Sequence, residues 1–205
     1  MVIEMRRIDV GFDEANDLLS QAGLASVNTM EILQGGWDNT NILLTLTDAS
    51  KVVLKVWNAN TIEEVRRVVA RHCHLDKHGI PTAVPIEFLD GELVVEKEGM
   101  AWTILPFVEG GMLGTDEESL KSLGQTLARL QQIPTADCFP DEYRMGWALI
   151  DEMFEIADDR NSWSDFLISL KKESESLRNQ IPANLPQGIL HGDLFPDNVI
   201  GDGSV

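Results

Sequence analysis

The spacing of apolar and polar positions changes several times along the chain, and each change marks an element. Over residues 12–22, Ala15, Leu18, Leu19 and Ala22 recur at helical spacing, and Gly23 supplies the stop signal. Residues 29–33, 39–47 and 51–57 then read as strands, joined by Gln34-Gly35-Gly36-Trp37-Asp38 and by Asp48-Ala49-Ser50. Three antiparallel strands follow from those short connections. From 61 to 78 the pattern turns helical through Ile62, Val65, Val68 or Val69, Cys73 and Leu75, and Gly79 and Pro81 end it. Strands return at 86–89, 92–97 and 101–108, separated by Asp90-Gly91 and Glu98-Gly99, and are expected to extend the same sheet.

After Gly110-Gly111 the character is helical. Thr115 and Glu118 have capping-box spacing, followed by Leu120, Leu123, Leu127 and Leu130 on one face. Trp147, Ile150, Met153, Phe154 and Ala157 predict a second helix, and Ser162 is expected to start a third through Trp163, Phe166, Leu167, Leu170 and Leu177. Apolar stripes of this kind close a core rather than bind a cofactor. The expected fold is therefore α+β and two-lobed. An antiparallel β-sheet lobe with one inserted helix occupies 1–107, and a mostly helical lobe, incomplete as a C-lobe, occupies 108–205. No internal repeat or low-complexity segment interrupts this plan.

Bulk properties narrow the chemistry. The 205 residues are enough for a real core, and no apolar run approaches the roughly 20 residues of a membrane helix. The formal charge of −18 opposes nonspecific attraction to nucleic acid or an anionic membrane, so neither is expected as a partner. The N-terminus lacks a basic segment followed by an apolar stretch, which makes the cytoplasm the expected location. Cys73 and Cys138 are too few for a disulfide framework or a thiolate zinc site and read as reduced thiols.

The strongest chemical signal is His191-Gly192-Asp193-Leu194-Phe195-Pro196-Asp197-Asn198, which fits the H-x-D-L-x-x-x-N catalytic loop of kinases. In that pattern Asp accepts a hydroxyl proton while Asn, a few residues on, reaches a metal bridging nucleotide phosphates. The expected chemistry is phosphoryl transfer, with Asp193 as base and Asn198 as metal ligand. Such a site needs a lysine on the third strand, and Val52-Val53-Leu54-Lys55-Val56-Trp57 puts Lys55 there. Lys55 shares a face with Val53 and Trp57 while Leu54 and Val56 point the other way, so a phosphate or carboxylate must meet it. Gly35-Gly36 permits close backbone approach to phosphates, although a plain hairpin turn accounts for it as well. Glu63 and Glu64, early in the inserted helix, are candidate partners of Lys55, with Glu64 preferred; acidic residues also suit a first helical turn on their own account. His74 and His78 stand four apart without a third ligand and read as surface histidines.

With these residues in place, the chain resembles the aminoglycoside phosphotransferase and choline kinase superfamily over nearly its whole length. Within it, Asp38-Asn39-Thr40-Asn41 and the run from Leu185 through His191 to Val199 look most like the homoserine kinases of that superfamily. The resemblance implies ATP and Mg²⁺ as cofactors and a small-molecule hydroxyl as acceptor. Homoserine or a similar amino alcohol leads; choline, ethanolamine, a sugar or an aminoglycoside are the alternatives. It also implies that His191 holds the loop and that Ile104-Leu105-Pro106-Phe107-Val108-Glu109-Gly110 forms the interlobe hinge, where the backbone of residues such as Leu105 and Phe107 meets adenine.

The chain departs from the pattern in three places. Gln131 stands where many relatives have histidine. Counting back from Gly79, the helix glutamate of many relatives falls nearer Val68 than Glu64. The sequence reaches Val205 where relatives continue into a strand with a second metal-binding aspartate. The expectation is a truncated kinase, itself inactive or impaired; the competing one is a noncatalytic nucleotide-binding or regulatory module.

Overall fold

Alternation of side chains along the strands gives the sheet two apolar faces, and a helix packs on each. A computed structural model of the chain describes residues 9–33, 39–140, 146–182, 184–195 and 198–201. Helix α1 (Phe12–Gln21) precedes strands β1 (Val27–Ile32), β2 (Asn39–Leu46) and β3 (Lys51–Trp57). Helix α2 (Ile62–Lys77) is inserted before β4 (Val95–Lys97) and β5 (Met100–Pro106). Every pairing is antiparallel, in the order β1-β2-β3-β5-β4. Burial alternates residue by residue along β2, as expected of strands packed on both sides. One face sets Ile42, Leu44, Leu46, Val52, Leu54, Val56, Trp102 and Ile104 in one cluster with Ala15, Leu18 and Leu19 of α1. The other sets Trp57 and Ala101 against Val65 and Val69 of α2, with Val68 and Cys73 packed at its margin.

Beyond the sheet come the two-residue strand β6 (Gly111–Met112), helices α3 (Glu117–Leu130), α4 (Trp147–Asp159) and α5 (Asp165–Gln180), and the short strand β7 (Ile200–Gly201), which pairs with β6. The chain divides into two compact units. One holds the residues up to Cys138 together with those from Gly188 onward, and the other is Phe139–Gln187. In the second, Phe154 and Ala157 of α4 are buried, Phe154 stacks on Trp163 at 5.7 Å between centroids, and Arg178 reaches Asp151 at 2.6 Å. Among the described residues no helix is long and apolar enough to cross a membrane.

The fold is α+β, with an antiparallel sheet and separate helices. Most elements shift by one to three residues from the sequence expectation, the strand expected over 92–97 beginning at Val95, and three differences have a local reason. Residues 86–89 form no strand: Pro85 lacks an N–H, and only isolated bonds tie Ile86 to Ile104 (2.7 Å) and Phe88 to Glu92 (2.8 Å) before Leu89 bonds the carbonyl of Gln21. Helix α3 is capped by Asp116 rather than Thr115, because the Asp116 carboxylate accepts both the Ser119 N–H (3.0 Å) and the Ser119 hydroxyl (2.7 Å). A charged acceptor at a helix N-terminus outcompetes the neighbouring threonine hydroxyl. Helix α5 begins after Ser164, whose hydroxyl accepts the Leu167 N–H at 3.2 Å, while Trp163 stays outside it and donates to Asp158 at 2.8 Å.

Candidate active site

The sheet face that α2 partly covers carries Lys55. Register places Asn41, Lys55 and Thr103 in one row across β2, β3 and β5, with Leu43, Val53 and Leu105 in the next row on the same face. Lys55 is half-buried, and its ammonium lies 3.9 Å from the centroid of the Trp57 ring. The Trp57 indole N–H donates to the Thr103 hydroxyl at 3.1 Å, which fixes the ring beneath the cation. Burial pushes the Lys55 pKa below its ordinary 10.5, because a desolvated ammonium loses hydration that a ring face only partly replaces. Among the described residues it has no carboxylate partner. An uncompensated cation beside an apolar shelf is suited to a phosphate, with Val53 and Leu105 offering a surface for a flat ring.

Glu64, expected opposite Lys55, has one carboxylate oxygen in the cap of its own helix. Its Oε2 accepts from the Thr61 N–H at 2.8 Å and from the Thr61 hydroxyl at 3.1 Å, while the Thr61 hydroxyl accepts the Glu64 N–H at 3.3 Å. This reciprocal capping box starts α2. Val68, the alternative position, packs toward Trp57. Gly35 and Gly36 lie outside the described residues. Phe107 follows β5 immediately; Lys51 sits 5.1 Å from its ring centroid and 2.8 Å from Glu109, tying the first residue of β3 to the segment after β5.

The loop carrying Asp193 is organised by its own hydrogen bonds. Asn198 Nδ2 donates to the Asp193 carbonyl at 2.8 Å and to Asp193 Oδ2 at 3.3 Å. The Asp193 N–H donates to His191 Nδ1 at 3.3 Å, the Phe195 N–H to the Asp193 carbonyl at 3.2 Å, and the Asn198 N–H to the Phe195 carbonyl at 2.9 Å. The structure thus brings Asp193 and Asn198 side by side, with both side chains exposed. Because Nδ2 is engaged, Asn198 presents its Oδ1, a hard oxygen of the type Mg²⁺ accepts. No cluster of three His, Cys, Asp or Glu side chains among the described residues could hold a metal by itself. The donor set therefore fits an ion held jointly with nucleotide phosphates, and Lys55 in the same compact unit fits the phosphates themselves.

Two glycines anchor this loop through close approaches that sequence spacing does not reveal. A Cβ on Gly110, at φ +146°, would lie 2.8 Å from Ile200 Cγ2 and 2.9 Å from the Gly201 carbonyl. Only glycine lets the segment after β5 pair with the end of the loop through β6 and β7, alongside the Leu113 N–H bond to the Val199 carbonyl at 3.0 Å. At the start of the loop, a Cβ on Gly188 would meet the Gln131 carbonyl at 2.8 Å, so this segment lies directly against the end of α3.

Residues 29–205 match the phosphotransferase enzyme family. The chain belongs to that family. Among curated members it is 28% identical over 200 residues to the homoserine kinase of Bradyrhizobium diazoefficiens, and 28% identical over 203 residues to that of Brucella anthropi. Each alignment covers 95% of this chain and 61% of the relative, so the chain spans about three fifths of the length of the curated relatives it matches. Solved phosphotransferases share the fold. A spectinomycin phosphotransferase, determined with ADP and spectinomycin, aligns over 95% of this chain and 66% of its own at 16% identity and a TM-score of 0.68. An amicoumacin kinase determined with AMP-PNP and Ca²⁺ aligns over 87% of this chain and 57% of its own, at 16% identity and a TM-score of 0.59.

Proposed function

We propose that the protein containing this chain transfers the γ-phosphoryl group of ATP to a hydroxyl of a small molecule, with homoserine as lead acceptor. The observation that carries this reading is the Asp193–Asn198 arrangement, in which one short loop holds a carboxylate and an amide oxygen side by side. With Asn198 donating to Asp193 Oδ2, Oδ1 is left to take the proton from the attacking hydroxyl. Lys55 binds the nucleotide phosphates, and the backbone around Leu105 and Phe107 meets adenine, with Gly35 and Gly36 over the phosphates. Residues 1–107 then act as the nucleotide-binding lobe and 108–205 as the lobe bearing the catalytic loop. Bound Mg²⁺, held by Asn198 and the phosphates, supplies neutralisation of the charge that develops on the transferred group.

Homoserine leads because the curated relatives carry that name, and an ATP-dependent reaction on a soluble amino alcohol belongs in the cytoplasm. The test is transfer of labelled γ-phosphate from ATP by the whole protein to homoserine, choline, ethanolamine, a hexose and an aminoglycoside in parallel. Phosphohomoserine as the dominant product is the expected result. Preference for another acceptor would replace homoserine while keeping the reaction class, and transfer to none of them would remove the reading.

A further inference from the structure

Lys55 and Trp57 stand two apart on β3, so their side chains leave the same face of the sheet. The Lys55 ammonium lies 3.9 Å from the centroid of the indole, well within the roughly 6 Å over which a ring face attracts a cation. No ion pair among the described residues includes Lys55, so the indole is the group that holds its head.

Trp57 is itself held from two directions. Its indole N–H donates at 3.1 Å to the hydroxyl of Thr103, a residue with no solvent exposure. Thr103 is the register partner of Lys55 across β3 and β5, so the anchor of the ring and the cation above it come from one rung of the sheet. From the helix side, the ring shares a buried cluster with Val65 and Val69 of α2. Val68, the α2 position nearest the glutamate of many relatives, packs against that cluster. At that position the helix offers the ring a hydrocarbon surface and offers the lysine no carboxylate.

We propose that Trp57 is the positioning residue for Lys55. Its indole face, supported by Thr103 and α2, does for this lysine the orienting that kinase sites obtain from a carboxylate of the inserted helix. The inference rests on the ATP reading above. A lysine side chain is long and flexible, and ordering it as phosphates arrive costs rotamer entropy that the ring contact has already removed. The ring occupies one side of the ammonium, and the donors on its other side remain for phosphate oxygens. Ring and phosphates therefore hold the cation together, and loss of the ring should weaken ligands that carry phosphates while sparing adenosine.

The experiment measures the affinity of the whole protein for a nonhydrolysable ATP analogue and for adenosine. It compares the parent with Trp57→Leu, Trp57→Phe, Lys55→Met and the double variant Lys55→Met with Trp57→Leu. Trp57→Leu should weaken the analogue about 3- to 30-fold, the range a cation–π contact supports, and adenosine by less than about twofold. Trp57→Phe keeps a ring beneath the ammonium and should recover most of the loss. In the Lys55→Met background, Trp57→Leu should add nothing, because the cation it positions is gone. Thr103→Val, which releases the indole N–H, should give a smaller loss with the same selectivity, and it keeps the test available where Trp57→Leu does not fold. Equal weakening of analogue and adenosine would overturn the inference and leave the functional reading intact, as would an equal loss with and without Lys55. Absence of analogue binding in the parent would overturn the functional reading and the inference with it.

Discussion

The five-stranded sheet and the helical unit Phe139–Gln187 use apolar residues of similar number and type to opposite effect. In the sheet, period-two alternation meets a helix on each side, and Trp102, Leu44, Leu54 and Ile104 are removed from water altogether. In the helical unit the stripes are just as legible, yet α5 buries only Ser174, and Phe166 and Ile168 remain 68% and 56% exposed. Periodicity states which residues can form a core; it does not supply the surface that covers them. The residues of the candidate site lie with the region whose packing is closed, in the unit that contains Lys55, Asp193 and Asn198.

Substitutions can break or sharpen this contrast. Trp102→Ala removes a side chain with no solvent exposure and should destabilise the sheet by about 3–5 kcal/mol, read by denaturant unfolding; a loss below about 1 kcal/mol would mean that the core is looser than described. Gly110→Ala should cost about 1–3 kcal/mol, because a left-handed backbone and a 2.9 Å approach to the Gly201 carbonyl must both give way. Its signature is faster hydrogen exchange at the Leu113 N–H, which bonds Val199, and unchanged exchange would show that β6 and β7 do not need the glycine.

A smaller effect follows from His72. Its pKa is held down in the folded chain, so between that lowered value and 6.5 the unfolded chain binds the proton that the folded one refuses. Stability should rise with pH through this window and level off above 6.5, with the slope reduced in His72→Asn. Equal slopes in both proteins would contradict the shift. Smallest of all, Phe166→Ala in α5 should change stability by less than about 0.5 kcal/mol, since the ring is mostly in water already. A large loss there would erase the contrast with Trp102.

Much of this was legible in the sequence for identifiable reasons. That Lys55 lies on the third strand could be read from the apolar run around it, and that Asp193 and Asn198 lie together from their close spacing in one loop. Glu64 shows why a local signal can carry two readings: an acidic residue three positions after Thr61 is itself a capping-box signature, and that local use engages its Oε2. His74 and His78 drew attention as a spaced pair, and their rings do meet at 4.4 Å, but His74 Nε2 lies 2.9 Å from the Pro134 carbonyl and His78 Nδ1 2.8 Å from that of His74. The roles of Gly110 and Gly188 had no local signal, because each depends on a backbone distant in sequence: Gly201 and Gln131.

The most direct test of the central claim is Asp193→Asn in the whole protein, with ATP affinity and acceptor turnover measured side by side. The account predicts that turnover falls by at least about 100-fold while ATP affinity stays within about threefold, because the carboxylate acts on the acceptor hydroxyl rather than on nucleotide. Turnover equal to that of the parent would show that Asp193 is not the base, and the assignment of the loop would fall with it.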